Sequence, residues 1–128
     1  RSSLKGDYYL WEPRSLNITK MQTAADLLVG EHDFSCFRGS LCQAKSPIKT
    51  IEYIQIESSI DELIISIKAN AFLHHMVRNI VGTLLKIGRG EKNIEWMTSV
   101  LASKDRREAG PTAEPQGLYF IKAFYKEI

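Results

Sequence analysis

No apolar run in this sequence approaches the roughly 20 residues that a membrane-crossing helix needs, and no secretory leader pattern is visible. A soluble, cytoplasmic protein is therefore the expectation. Cysteine is nearly missing: there are only Cys36 and Cys42. Two cysteines cannot staple a small fold, and their spacing is not that of a zinc pair, so a reducing compartment is expected. The sequence has no G-x-S-x-G elbow, no P-loop and no G-x-G-x-x-G turn. "GRGE" at 88–91 reads as a helix exit, not as a phosphate cradle. Internal repeats and low-complexity tracts are also missing.

Acidic residues are absent from two long stretches. Residues 34–51 hold Arg38, Lys45 and Lys49 with no acid, and residues 63–90 hold Lys68, Arg78, Lys86 and Arg89 with none. The whole chain carries only +2, so the remainder is net negative. Concentrated positive charge on a nearly neutral chain points to a local anionic partner. Ordinary solvated lysines and arginines would give the same composition.

What is present suits one domain over residues 1–128, with 44% hydrophobic residues to build its core. "DYYLWEP" (7–13) reads as a strand stopped by Pro13. Asn17 can cap a helix running to Leu28, with Met21, Ala24, Ala25 and Leu28 at helical spacing and Gly30 closing it. Residues 31–47 show no sustained period and read as an ordered loop with one helical turn at 33–36. The β-branched run 48–58 and the alternating run 62–70 form a hairpin around "SSID". A long helix at about 71–88 and a third helix, capped by Asn93 and running to about Ser103, follow. Residues 104–117 form a fixed loop, and 117–125 a last strand. The order implies an α+β fold, an antiparallel sheet with helices packed on one face.

The long helix holds an anomaly. On a wheel, its apolar residues fill a wide arc, with His75, Asn79, Gly82 and Lys86 opposite. His74 and Arg78 fall at one edge, so the head of Arg78 can reach a neighbouring cleft. No acid lies between Glu62 and Glu91, so no neighbour on the helix can pair with it. Its partner must come from a distant part of the chain, from another chain, or from a phosphate. Gly82, one turn on, leaves that face open to close approach. His74 and His75 point about 100° apart on a helix and cannot easily share a metal ion, and no zinc spacing involves His32, Cys36 or Cys42. No metal site is expected.

"GEHDFSCFR", "CQAKSPIKTI", "ANAFLHHMVRNIVGTLLKIG" and "LASKDRREAGPTAEPQGLYF" follow one another as in the carboxy-terminal half of the TruA-type tRNA pseudouridine synthases. The resemblance covers nearly the whole chain. It implies one half of the two-half pseudouridine synthase fold. It also implies isomerisation of uridine to pseudouridine at positions 38 to 40 of tRNA, in the anticodon stem-loop, without cofactor or metal, by an enzyme that is a homodimer in bacteria. In that family the catalytic aspartate lies in an R-T-D motif of the amino-terminal half, and a tyrosine that stacks on the base is also upstream. No "RTD" occurs here, and Asp7, Asp26, Asp33, Asp61 and Asp105 sit in unrelated contexts.

The resemblance implies that Arg78 pairs with the catalytic aspartate across the cleft and that Leu118, in "GLY", packs against the reacting base. Arg38, Lys45, Lys49 and His74 are the further substrate-facing candidates. The chain starts at Arg1, and the expectation is the second half of the enzyme, inactive by itself. A free-standing RNA-binding module without catalysis is the alternative.

Overall fold

The computed structural model describes residues 16–40, 45–58 and 62–113, and the backbone of 119–125. The sequence-expected strand at 7–13, the "SSID" turn residues 59–61, Cys42 and Leu118 lie outside the described residues.

Helix α1, Ile18–Asp26, begins as expected: the Asn17 side chain accepts the Lys20 N–H at 3.0 Å, satisfying a donor the helix cannot reach. Its Met21, Ala24 and Ala25 are buried, and Leu28 beyond its end is buried with them. The chain then turns through Gly30, whose φ of 104° suits glycine, directly into strand β1, Gly30–Asp33. Part of the stretch expected to be loop is thus an edge strand. It is too short to show a period, and its pairing with strand β2, Ile48–Ser58, makes it one. A single 3₁₀ turn at Ser35–Phe37 follows, within a residue or two of the expected helical turn.

Strands β2 and β3, Leu63–Ala69, pair antiparallel with one register shift between Ile51 and Tyr53. β1 covers β2 only from Ile48 to Ile51. Further along, the Gln22 side chain of α1 takes the place of a strand partner. It donates to the Ile54 carbonyl at 2.7 Å and accepts the Ile56 N–H at 2.9 Å. A helix side chain thus closes a sheet edge that would otherwise leave backbone groups unmet.

Strand β4, Tyr119–Tyr125, lies beside β3 and runs parallel to it, giving the order β1-β2-β3-β4. The antiparallel arrangement expected from the sequence holds for β1, β2 and β3, and β4 departs from it. A parallel neighbour requires a crossover, and two helices supply it: α2, Met76–Gly88, and α3, Ile94–Ser103. Asn93 caps α3 by accepting the Trp96 N–H at 2.9 Å.

The architecture is α+β. Leu63, Ile65, Ile67 and Ala69 of β3 are buried, and Ile64, Ser66 and Lys68 between them are half-buried. The buried set joins Ile51, Ile54 and Ile56 of β2 in one core with Met21 and Leu28, Met76, Ile80 and Leu84 of α2, and Met97 and Val100 of α3. Burying each large apolar side chain stabilises the fold by about 1.5–3 kcal/mol before entropy is counted.

The long helix differs from its sequence expectation at one end. It starts at Met76, not near residue 71, because His75 adopts a left-handed backbone with φ of 62°. Histidine tolerates this region better than bulky or β-branched residues do. Among the described residues, no helix is long and apolar enough to cross a membrane.

Candidate functional site

The start of α2 is fastened on two sides. On the first, the segment after the 3₁₀ turn is tied down around Arg38. The Phe37 carbonyl accepts the Asn79 Nδ2 amide at 2.8 Å, and the Gly39 N–H donates to the His74 carbonyl at 2.8 Å. Gly39 also permits this approach, since a Cβ there would stand 2.9 Å from the His74 ring and carbonyl oxygen. Arg38 therefore sits between two anchored residues, beside the turn that launches α2.

On the second side, the "AGPTA" segment lies along the helix. A Cβ on Gly82 would overlap the Pro111 carbonyl oxygen, so only glycine lets the segment lie so close. Gly110 is also close-packed, with a Cβ 2.9 Å from the Thr83 Cα. The Gly110 N–H donates to Thr83 Oγ1 at 2.9 Å, and Thr83 Oγ1 donates to the Asn79 carbonyl at 2.9 Å. Asn79 and Thr83 are accordingly buried, at 1% and 0% exposure. The wheel placed Asn79 and Gly82 on a polar outer face, whereas the structure covers that face with another part of the chain. Gly82 does serve a close approach, and what approaches is the chain's own backbone.

Arg78 emerges between these two flanks. It is half-buried, its Nε donates to the Ala113 carbonyl at 3.0 Å, and the Ala113 N–H donates back to the Arg78 carbonyl at 3.0 Å. No carboxylate among the described residues pairs with its guanidinium. It is the third residue of α2, and that helix has no acid in its first turn. A cation there opposes the helix dipole, whose N-terminal end is already positive. An arginine so placed gains most from an anion brought to it.

The two histidines just before α2 lie against each other. His74 and His75 stack with ring centroids 3.9 Å apart and planes 24° from parallel. Both precede the helix, so the 100° separation expected from a wheel does not apply; their faces meet instead. Loss of hydration, then the positive charges of His74 and Arg78, hold the His75 imidazole below its ordinary pKa. On the far side of Arg38, Asp33 is low despite burial, which pushes it up. The hydrogen bonds from Ser35 outweigh that, with Lys104 and Arg38 adding to the effect.

Other chemistry is disfavoured. Cys36 is fully buried, and burial pushes its thiol up to about 12, so it is neither a nucleophile nor a ready ligand. Among the described residues, no three His, Cys, Asp or Glu side chains are grouped to hold a metal ion. An open depression of about 570 Å³ lies at the other end of α2, between residues 16–20 and 87–90, away from this cluster.

Of the sequence-expected residues, Arg38 is the neighbour of Gly39, whose N–H bonds the His74 carbonyl, and His74 lies four residues before Arg78. Lys45 is exposed, and Lys49 stands in β2 opposite His32 of β1. Leu118 lies outside the described residues. Sequence reasoning passed over Arg106, which reaches from a 3₁₀ turn at Arg106–Glu108 to the covered face of α2. Its Nη1 donates to the Gly110 carbonyl at 2.7 Å, and its Nη2 to Asn79 Oδ1 and Thr112 Oγ1, both at 3.1 Å. The available signal was a charged residue just before a glycine- and proline-punctuated loop whose backbone must be held by something.

A family model described as tRNA pseudouridine synthase matches residues 24–126. The tRNA pseudouridine synthase A of Hydrogenovibrio crunogenus is 47% identical over 126 residues, covering 98% of this chain and 48% of that protein. Proteins of the same name from Pseudomonas aeruginosa and Herminiimonas arsenicoxydans are 50% and 52% identical, each over 90% of this chain and over 40% and 42% of their own lengths. The chain thus spans less than half the length of these curated relatives. With most of its length matched, this chain belongs to the tRNA pseudouridine synthase family.

Proposed function

We propose that this chain completes the active site of a tRNA pseudouridine synthase that isomerises uridine to pseudouridine in the anticodon stem-loop. The observation that carries the reading is Arg78. Its Nε is fastened to the Ala113 carbonyl, and it has no carboxylate partner among the described residues. The reaction detaches a base from its sugar and rejoins it through carbon, and it needs an ionised, accurately aimed carboxylate. A guanidinium beside that carboxylate keeps it ionised and fixes its direction through paired hydrogen bonds.

In this reading the catalytic aspartate comes from outside these 128 residues, and the chain by itself is inactive. Leu118 packs against the reacting base. Arg38, His74, Lys45 and Lys49 face the RNA, and their phosphate contacts position it without reading its sequence. The intact enzyme works as a homodimer without cofactor or metal.

The test is pseudouridine formation in an anticodon stem-loop, followed by mass spectrometry. The intact enzyme should convert its substrate, and the isolated chain should give only background. Turnover by the pure chain would place the catalyst among its own five aspartates and overturn the reading.

A further inference from the structure

The Arg106 side chain is the hub of a network that ends at Arg78. Its two terminal nitrogens bond Gly110, Asn79 and Thr112, and Thr112 Oγ1 also donates to Asn79 Oδ1. Every acceptor is neutral, and no carboxylate among the described residues pairs with Arg106. These are charge-assisted bonds from a half-buried guanidinium, and they fasten the loop to the helix. What the planar fork supplies is direction: three acceptors on two segments are fixed at once.

Those acceptors lead to the site by two routes. Gly110 and Thr112 flank Pro111, and Thr112 immediately precedes Ala113, whose carbonyl orients Arg78 Nε. Asn79 Nδ2 holds the Phe37 carbonyl, next to Arg38. The amide can serve both sides only with its oxygen toward Arg106 and its nitrogen toward Phe37.

We propose that Arg106 is a positioning residue: through Gly110, Thr112 and Asn79 it fixes the Ala113 carbonyl and thereby aims the Arg78 guanidinium. This rests on the reading in which Arg78 serves the catalytic carboxylate. A change at Arg106 should then act on the chemical step through orientation, with tRNA affinity largely kept.

The test uses Arg106→Lys, which keeps the charge and loses the fork, and Thr112→Val, which keeps the volume and loses the hydroxyl. Both are made in the intact enzyme. The single-turnover rate at saturating tRNA should fall about tenfold or more in Arg106→Lys and less in Thr112→Val, since small misalignments at a reacting centre cost up to about 100-fold. The tRNA Kd should change by less than about threefold. A second readout is independent of activity: water exchange of the Arg78 Nε–H in nitrogen-15 NMR, assigned by its loss in Arg78→Lys. Exchange should speed up in both variants. If wild-type enzyme makes no pseudouridine, the proposed function fails, and the exchange arm still decides whether Arg106 orders Arg78. Wild-type rates with unchanged Nε–H exchange in both variants would overturn the inference. So would loss of tRNA binding with an unchanged saturating rate.

Discussion

Arg78 and Ala113 exchange two hydrogen bonds, each at 3.0 Å: the arginine Nε donates to the alanine carbonyl, and the alanine N–H donates to the arginine carbonyl. A residue in the first turn of α2 and the end of the "AGPTA" segment are thereby one unit. The guanidinium is directed by a backbone carbonyl that is itself held, so its aim depends on how that segment docks.

Docking depends first on Gly82. Gly82→Ala should destabilise the fold by about 1–3 kcal/mol or more, because its Cβ would meet the Pro111 carbonyl, and backbone cannot step aside as a side chain can. The comparison is Gly90→Ala, where no other described residue comes within 4 Å of the added Cβ, its two chain neighbours aside, and a φ of 82° costs about 1–2 kcal/mol. Urea denaturation of both variants measures the difference. The Gly82 change should also lower turnover beyond its effect on stability. Wild-type stability in Gly82→Ala would show that the segment does not rest on the helix as described.

His75 gives a pH signature. Its folded pKa lies below the ordinary 6.5, from lost hydration and then the charges of His74 and Arg78. A depressed value means that the unfolded chain binds the proton more readily. The contribution of this group to stability is therefore complete above about pH 6.5 and declines as pH falls through that value toward the folded pKa. An NMR titration should place the His75 midpoint below 6.5, and Arg78→Gln should raise it. A midpoint that does not move in Arg78→Gln would remove the case for a positive field at the start of α2.

Much of this was legible in the sequence. Asn17 and Asn93 announced their helices because a cap is a local device, and the β2–β3 hairpin followed from alternation and a turn. The parallel β4 was not legible, since its direction is set by the crossover and not by its own residues. The left-handed His75 was hidden in a pattern that continues helically on both sides. The helical wheel erred at Asn79 and Gly82 for a physical reason. It sees one helix and cannot see that residues some thirty positions later lie over its polar side. Arg106 escaped notice because its three acceptors meet only in the folded chain.

RNA binding should follow salt. Arg38, Lys45 and Lys49 occupy a stretch without acids, and phosphate neutralisation releases counterions, with a slope of about −0.7 to −0.9 per phosphate. Titrating an anticodon stem-loop against the intact enzyme at several salt concentrations should give a clear negative slope. Replacing any one of these cations by alanine should reduce it by about 1. A slope unchanged by all three substitutions would remove them from the RNA-facing surface.

The most direct measurement is single-turnover kinetics of Arg78→Ala and Arg78→Lys in the intact enzyme, with tRNA binding measured separately. If Arg78 aims the catalytic carboxylate, the alanine variant should lose about 100-fold or more in the saturating rate while tRNA Kd changes little. The lysine variant should recover only part, because an ammonium keeps the charge without the planar fork. If Arg78 only grips a phosphate, the pattern reverses: weaker binding, a shallower salt slope and a normal rate at saturating tRNA. A normal saturating rate in Arg78→Ala would contradict the account.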